Sequence, residues 1–430
     1  MFSITAIPYV PGRARGVLRF GPSAATPGTI VALRQQEVAA LAARPAGIVL
    51  IDAAPFSHPT LRLLSQAIPT VLVEQGQLAG LVEGDDVLLD GHSGMLVSPV
   101  PSSLPVHALP SPPEPGKPVS TVDGARVELR ASVGSIAGAA AAVNQGAAAI
   151  GLVRSEYLFP GDGSRPDADF LDAAFGQICQ AARPLSVTFR LVDIADDKKP
   201  PWLGEVPGIA GVLGLQGARL YSTEPVRQVY LDELRALSRL AGQYRVAVLL
   251  PYVVSLTELE NLFAEIRQHL PPTVPLGVML ETPAAALAVE EFLGVVDFAA
   301  LGCNDLMQCL FAADRDMPEL RAWLDPHAPA LYRFLDRVAH QAGGAVNALQ
   351  VCGLLPQWPG ILPVLLGLGY RAFSVDPVMI PWLAEAVRQT ETKRAVQLAR
   401  AVCESHRPAE VKQLLAEAAG VVASPCARRG

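Results

Sequence analysis

The sequence predicts an α/β protein in two parts, a small α/β domain followed by a (β/α)8 TIM barrel. A Pro- and Ser-rich stretch without apolar periodicity, residues 98–120, separates the two parts and is typical of a semi-rigid linker. The longer second part repeats short apolar runs followed by helical patterns. Half of all residues are hydrophobic but only 6% are aromatic, which favours helices lying close on a parallel sheet.

The first part contains three strand-like runs. They are GIVLID at 47–52, TVLVE at 70–74 and DVLLDGHSGMLVS at 86–98, the last with a hairpin turn at its centre. The stretch between the first two runs predicts a loop, an N-cap at Ser57 and a short helix that ends before Pro69. We therefore assign residues 1–99 to the small domain.

The second part alternates strands with helices. The predicted strands are 125–132, 148–153, 186–193, 244–251, 275–281, 296–302, 348–353 and 371–375, with a further short strand near 218–221. This number of buried strands over about 250 residues predicts a barrel. An open doubly wound sheet is the alternative, but its glycine-rich dinucleotide turn is absent. The predicted boundaries are 100–120 for the linker, 121–410 for the barrel and 411–430 for a helix end and tail.

Composition excludes several classes of protein. The formal net charge is −7 and no basic stripe is present, which argues against a nucleic-acid partner. The N-terminus does not resemble a secretory signal, and the most apolar stretch, 359–373, is shorter than the roughly 20 residues that span a bilayer. The six cysteines are scattered without a CxxC pair, which predicts reduced thiols. We expect a cytoplasmic protein without a membrane partner.

Polar side chains follow the predicted strands where a barrel places its catalytic residues, at the strands' C-terminal ends. These positions hold Arg154, Arg190 with Asp193, Glu281, Asn304 with Asp305, and Cys352. Arginine binds phosphate or carboxylate through two bonds, and a carboxylate pair suits Mg²⁺. A thiol near its ordinary pKa of about 8.5 can deliver a proton to carbon. The set predicts a site for a small, highly anionic substrate.

Each of these residues also has an ordinary structural explanation. An arginine at a strand end often pairs on the surface, Cys352 alone is more often a small buried hydrophobe, and Glu281 or Asp305 can cap a helix. Only their joint position at one predicted face of the barrel favours a functional site.

Five segments of the second part resemble motifs of the phosphoenolpyruvate-utilising family, which includes enzyme I of the sugar phosphotransferase system, phosphoenolpyruvate synthase and pyruvate phosphate dikinase. They are GLVRSEYLF at 151–159, TFRLVDIADDK at 188–198, GVMLETPAAA at 277–286, VDFAALGCNDLMQCLFAADR at 296–315, and VCG followed by ILPVLLGLGYRAFSVDPVMIP at 361–381. The order matches that of the family, and the resemblance covers roughly 120–390.

The first part resembles the family's swivelling phosphohistidine domain. AAPFSHPTLRLLSQAIP at 53–69 is similar to the family motif GGxTSHxAIxARxxGIP, whose histidine is phosphorylated, and a similar hairpin follows. The resemblance therefore implies a phosphohistidine at His58. The other six histidines have no comparable context.

The resemblance implies a role for each matching residue. Arg154, Arg190, Arg219 and Arg315 would hold phosphoenolpyruvate together with Lys198 and Asn304, and Glu281 and Asp305 would bind Mg²⁺. Cys352 would protonate the pyruvate enolate, and His58 would carry the phosphoryl group to a separate acceptor, a protein or a small molecule. Dimerisation through the barrel is also implied.

Three departures from the family pattern keep two alternatives open. Gln216 replaces a motif arginine, Leu354 replaces the glutamate after the Cys-Gly pair, and Phe56 replaces the threonine of the histidine loop. The leading hypothesis is a Mg²⁺-dependent phosphotransferase that uses phosphoenolpyruvate. The alternatives are a non-catalytic phosphoenolpyruvate sensor, which the departures favour, and a ketoacid carbon–carbon lyase of the related barrel superfamily.

Overall fold

A computed structural model of the chain describes residues 2–100 and 109–422. Residues 101–108 of the predicted linker and 423–430 of the predicted tail lie outside the described residues. The chain divides into two compact units, one formed by Met1–Ser111 with Ala313–Leu324 and the other by Pro112–Ala312 with Asp325–Gly430. The segment Ala313–Leu324, which the sequence assigned to the barrel, therefore groups with the first unit.

In its described residues, the first unit contains an eight-stranded mixed sheet and one α-helix, α1 (His58–Gln66). Its strands are β1 (Phe2–Thr5), β2 (Ile7–Val10), β3 (Arg13–Phe20), β4 (Thr29–Arg34), β5 (Gly47–Ile51), β6 (Thr70–Val73), β7 (Asp86–Asp90) and β8 (Met95–Ser98). The sheet order is β1-β8-β7-β3-β4-β5-β6-β2. Strands β3 to β6 run parallel, and the outer pairs run antiparallel.

The predicted strands 47–52 and 70–74 are confirmed as β5 and β6, and the predicted hairpin as β7 and β8. Strands β1 to β4 were not predicted. In β3 (RARGVLRF) buried and exposed positions are mixed with charged residues, so no continuous apolar run marks it. Ser57 caps α1 as expected, since its side chain accepts a hydrogen bond from the Thr60 N–H.

The second unit is a closed barrel of eight parallel strands, which confirms the predicted fold class. The strands are β10 (Arg126–Val133), β11 (Ile150–Arg154), β12 (Val187–Arg190), β13 (Val246–Leu250), β14 (Leu276–Leu280), β15 (Phe298–Gly302), β16 (Leu349–Cys352) and β17 (Ala372–Val375), preceded by the short β9 (Val119–Ser120). Strand β10 pairs with both β17 and β11 and so closes the sheet. The alternative of an open sheet is therefore wrong.

Helices connect the strands and surround the barrel. They are α2 (Ile136–Asn144), α3 (Ala168–Ala181), α4 (Val226–Leu240), α5 (Leu256–Ile266), α6 (Pro283–Leu287), α7 (Val289–Leu293), α8 (Cys303–Phe311), α9 (Pro329–Ala342), α10 (Leu362–Gly367), α11 (Ile380–Gln389), α12 (Thr392–Glu404) and α13 (Pro408–Val422). Within residues 2–100 and 109–422, no helix is long and apolar enough to cross a membrane.

Besides shifts of one or two residues at the ends of other strands, three predictions differ from the structure. The expected strand near 218–221 is a short 3-10 helix, Gly217–Leu220, which begins at a glycine with a φ of 54°. Strand β12 ends at Arg190 and not at residue 193, because the Val192 N–H donates to the carboxylate of Glu233. The last two residues of the predicted linker form β9, which pairs antiparallel with β10.

Candidate active site

The side chains that follow the barrel strands lie at the mouth of the barrel. Arg154 ends β11 and lies in register with Arg190, which ends β12, and Gly302 of β15 lies in register with Cys352 of β16. Because parallel strands all present their C-terminal ends at one face, residues distant in sequence become neighbours there.

Arg190 is the centre of a buried ion-pair network. Its side chain is 7% exposed, and its Nη1 lies 2.7 Å from Asp193 Oδ2 and 3.6 Å from Glu281 Oε1, while Nη2 bonds to Glu156. A guanidinium is suited to this place because it offers five donors in a fixed plane. The arginine therefore holds three carboxylates in one small volume.

Lys198 adds a second buried cation, which pairs with Asp193. Burial alone would raise the pKa of Asp193, but the charges of Arg190 and Lys198 hold that pKa below its ordinary value. Burial would likewise lower the pKa of Lys198, and Asp193 raises it instead. Both groups are therefore ionised at neutral pH.

Glu281 follows β14 and is 2% exposed. Its Oε2 accepts a hydrogen bond of 3.0 Å from the Tyr252 N–H. Burial, together with repulsion from Asp193 and Asp305, raises the pKa of Glu281 to about 8. Tyr252 has a φ of 53°, a left-handed conformation that is uncommon outside glycine and is concentrated at functional sites.

Asn304 and Asp305 lie in the first turn of α8, directly after β15. Asn304 Oδ1 accepts a 3.0 Å hydrogen bond from the Leu354 N–H, so its amide nitrogen is turned away from this contact. Gly353 makes the contact possible, because a Cβ there would lie 2.7 Å from Asn304 Oδ1. The loop after β16 thus orients the amide of Asn304 as a donor.

Cys352 ends β16 among apolar side chains of the barrel interior and is 3% exposed. Gln350 Nε2 donates a 3.1 Å hydrogen bond to its sulfur. Burial raises the pKa of Cys352 to about 11, although the Gln350 bond acts in the opposite direction. The expectation of an ordinary thiol pKa is therefore corrected: Cys352 is protonated at neutral pH, as a proton donor must be.

Two further predicted residues of this unit lie at its strand ends and loops. Among the described residues, the side chain of Arg154 forms no hydrogen bond or ion pair. Burial raises the pKa of Asp376, and the charge of Arg154 acts in the opposite direction. Arg219 is exposed, and its guanidinium carbon lies 5.3 Å from the centre of the Tyr252 ring.

His58 and Arg315, the remaining predicted site residues, belong to the first unit. His58 is the first residue of α1, and its Nε2 lies 3.0 Å from Arg315 Nη2. Its Nδ1 lies 3.2 Å from Asp316 Oδ2, and its backbone N–H donates to Asp316 Oδ1 at 2.8 Å.

A family model described as "PEP-utilising enzyme, PEP-binding domain" matches residues 114–392. The chain belongs to the PEP-utilising enzymes. It is 32% identical over 390 residues to the phosphoenolpyruvate-protein phosphotransferase of Haloferax volcanii, which covers 86% of this chain and 68% of the relative. It is 30% identical over 383 residues to the multiphosphoryl transfer protein of Rhodobacter capsulatus, and the match covers 86% of this chain and 46% of that relative.

Some relatives of this PEP-utilising enzyme are much longer than the chain itself. The chain spans 46% of the Rhodobacter capsulatus relative and 36% of the multiphosphoryl transfer protein 1 of Escherichia coli K12, to which it is 31% identical. A solved citrate lyase from Burkholderia xenovorans LB400 superposes with a TM-score of 0.34 and 12% identity, covering 62% of this chain and 84% of that one. That likeness is too distant to support any statement about function.

The donor set of this PEP-utilising enzyme fits a divalent cation. Glu156, Asp193, Glu281 and Asp305 bring four carboxylates together, against the two cations Arg190 and Lys198. Burial is the main cause of the raised pKa of Glu281, and repulsion from Asp193 and Asp305 adds to it. Carboxylate oxygens are the ligands that Mg²⁺ prefers, so Glu281 and Asp305 could hold it.

Four residues that contact predicted site residues of their own unit were not themselves predicted. Glu156, Tyr252, Gln350 and Asp316 contact predicted residues directly. Tyr252 directly follows the predicted strand 244–251, and no site residue was predicted there. Its position at a strand end could have identified it. The contact between Asp316 and His58, 258 positions apart, left no local trace in the sequence.

Proposed function

We propose that the chain transfers the phosphoryl group of phosphoenolpyruvate to Nε2 of His58, with Mg²⁺ held by Glu281 and Asp305, and releases pyruvate. Membership of the PEP-utilising enzymes supports the substrate. The name of the Haloferax volcanii relative, phosphoenolpyruvate-protein phosphotransferase, supports the reaction.

The observation that carries the proposal is the contact between His58 and Arg315. A guanidinium only donates hydrogen bonds, so Nε2 of the neutral ring must accept from Arg315 Nη2 at 3.0 Å. Nε2 therefore holds the lone pair that a nucleophile needs. The adjacent guanidinium would offset the negative charge of an incoming phosphoryl group.

The residues of the barrel mouth would hold phosphoenolpyruvate, the phosphoryl donor. Arg154 and Arg190 supply cationic forks for phosphate and carboxylate, and the amide of Asn304 supplies a hydrogen bond to the phosphate. Lys198 and Arg219 would add further positive charge for the anionic substrate. Phosphoryl transfer depends mainly on such positioning and charge neutralisation.

The transfer breaks the P–O bond of phosphoenolpyruvate and forms a bond between phosphorus and Nε2 of His58. The electron pair of the broken bond leaves with the pyruvate enolate. The Cys352 thiol then gives its proton to the enolate carbon and later recovers one from solvent. When bound, Mg²⁺ would neutralise phosphoryl oxygens and so stabilise the charge that develops on them.

The test is incubation of the protein with Mg²⁺ and phosphoenolpyruvate labelled in the phosphoryl group. Wild type should acquire one acid-labile, base-stable label, and His58→Ala and Glu281→Gln should not. His92→Ala is the matched control, because His92 lies in the turn between β7 and β8, and it should be labelled like wild type. Absence of label on wild type, with binding confirmed by calorimetry, would reject the proposal.

One observation favours a second function, a sensor that binds phosphoenolpyruvate without turnover. Gln216 stands where the family motif has an arginine, and its Nε2 donates to the Val212 carbonyl at 2.8 Å. This position therefore offers no cation to a substrate carboxylate. Calorimetric binding of phosphoenolpyruvate without label, unchanged in His58→Ala, would establish the sensor instead.

Three further points remain proposals. The final phosphoryl acceptor would be a separate protein or small molecule, and the name phosphoenolpyruvate-protein phosphotransferase of the Haloferax volcanii relative supports a protein. Pairing of two barrels as a homodimer and a cytoplasmic location remain predictions from the sequence. Sedimentation of the purified chain would test the dimer.

A further inference from the structure

Asp316 contacts His58 at two places. Its Oδ1 accepts the His58 backbone N–H at 2.8 Å, and its Oδ2 lies 3.2 Å from the ring Nδ1. The side chains of His58 and Asp316 are 16% and 25% exposed, so water competes only partly for these bonds. The carboxylate therefore fixes both the start of α1 and the plane of the imidazole.

Asp316 is itself held from two sides. Its carbonyl oxygen accepts from Gln35 Nε2 at 2.9 Å, and its N–H donates to Asp314 Oδ1 at 2.9 Å. Gln35 is 5% exposed and also accepts the Ala54 N–H at 2.8 Å. This chain of bonds joins Asp316 to the loop that leads into α1.

We propose that Asp316 is a positioning residue for His58, which keeps the proton on Nδ1 and stabilises the ring when Nε2 is phosphorylated. The inference rests on the proposed function. Arg315 can only donate to Nε2, and the Asp316 carboxylate can only accept from Nδ1, so both neighbours select the same tautomer.

The same geometry bears on the chemical step. Attack by the neutral ring through Nε2 leaves an imidazolium that still carries its proton on Nδ1. The Asp316 carboxylate faces that proton and stabilises the new positive charge. The phosphoryl group is then bound on the side of Arg315, and the ring proton stays on the side of Asp316.

The decisive variant is Asp316→Asn. An asparagine whose Oδ1 keeps the bond to the His58 N–H would turn its amide NH₂ toward Nδ1, which must then accept. The ring proton would move to Nε2 and remove the lone pair. Glu319→Gln is the matched control, since Glu319 is exposed and lies in the same segment.

The experiment measures ring tautomers by long-range ¹H–¹⁵N correlation spectra of the full chain labelled with ¹⁵N-histidine, at mildly alkaline pH. The His58 signal is assigned with His58→Ala. Wild type and Glu319→Gln should show the proton on Nδ1, and Asp316→Asn should show it on Nε2. The rate of labelling by phosphoenolpyruvate should fall at least about a hundredfold in Asp316→Asn, and Asp316→Glu should recover part of it.

Each outcome decides one of the two ideas. A wild-type ring with its proton on Nε2 would overturn the positioning role without any variant. So would an Asp316→Asn protein whose ring tautomer and labelling rate equal those of wild type. Absence of label on wild type, together with the expected tautomers, would reject the proposed function and leave the positioning of the ring supported.

Discussion

Arg190 shows how a single residue organises the mouth of the barrel. It is the charge that Glu156, Asp193 and Glu281 share, and all four side chains are at most 7% exposed. A buried ion pair contributes little net stability compared with apolar residues, but removal of one partner leaves an uncompensated charge. The arginine is therefore structural as well as a candidate ligand.

Arg190→Met should lower the free energy of unfolding by about 3–5 kcal/mol, because it leaves buried carboxylates without their counter-charge. Adding Glu156→Gln should recover part of the loss, since it removes one of those carboxylates. Urea unfolding at neutral pH measures both effects.

Arg400→Met is the control for the Arg190 variant. Arg400 pairs with Glu404, and their side chains are 80% and 66% exposed, so we expect a loss of about 0–1 kcal/mol. Equal losses for the two arginines, or no recovery by Glu156→Gln, would contradict the buried network.

At the scale of secondary-structure elements, close packing between β14 and β15 places the candidate metal ligands. Gly302 ends β15, and a Cβ there would lie 2.5 Å from Glu281 Cγ and 2.9 Å from Oε1. The glycine therefore leaves the space that the Glu281 side chain occupies.

Gly302→Ala should displace the Glu281 carboxylate and weaken Mg²⁺ binding at least about tenfold. Calorimetric titration with Mg²⁺ measures the affinity, and circular dichroism verifies the fold. Gly344→Ala is the control, because no atom lies within 4 Å of a Cβ at that position. Unchanged Mg²⁺ affinity in Gly302→Ala would show that Glu281 is not a ligand.

Helix α4 supplies a further buried carboxyl near the mouth of the barrel. Glu233 is 1% exposed and accepts the Val192 N–H at 2.8 Å. Burial raises the pKa of Glu233 to about 8, well above that of an exposed glutamate. The stability that the protonated Glu233 contributes is therefore complete below the pKa that this carboxyl has in the unfolded chain. It is lost as the pH rises through about 8, the pKa in the folded protein.

Glu233→Gln should remove this pH dependence while keeping an acceptor for the Val192 N–H. Between pH about 6 and about 9, the wild-type free energy of unfolding should fall by about 3 kcal/mol more than that of the variant. Denaturant unfolding at the two pH values measures the difference. Glu281 titrates in the same range but is present in both proteins, so parallel curves would mean that Glu233 is already ionised.

At the scale of the whole molecule, the chain forms two units with separate sheets. The barrel sheet closes through the pairing of β10 with β11 and β17, so it needs no other unit to cover an open edge. The segment Ala313–Leu324, which lies in the middle of the barrel sequence, belongs to the first unit.

A fragment of residues 112–430 should therefore fold by itself. We expect cooperative thermal unfolding followed by near-ultraviolet circular dichroism, and Mg²⁺ binding like that of the full chain. Incubation with labelled phosphoenolpyruvate should leave no acid-labile label, because His58 is absent. A fragment without a cooperative transition would show that the barrel core depends on the first unit.

The local pattern of the chain was sufficient for the barrel and for most of its candidate ligands. Parallel strands buried on both sides are continuous apolar runs, and a polar residue after such a run, such as Arg154 or Glu281, is visible in the sequence. Strands β1 to β3 were missed because they contain a proline or mix apolar with polar residues, whereas β4 (TIVALR) is a buried apolar run that the prediction overlooked.

By itself, the sequence determined the fold class and which side chains follow the barrel strands, because both depend on residues close together in the chain. Only the tertiary structure decided which of those side chains pair and which are protonated. Asp316 meets His58 across 258 positions, and the pKa of Cys352 depends on the apolar side chains that enclose it. Distances and burial of this kind arise from packing between distant segments, which no local pattern records.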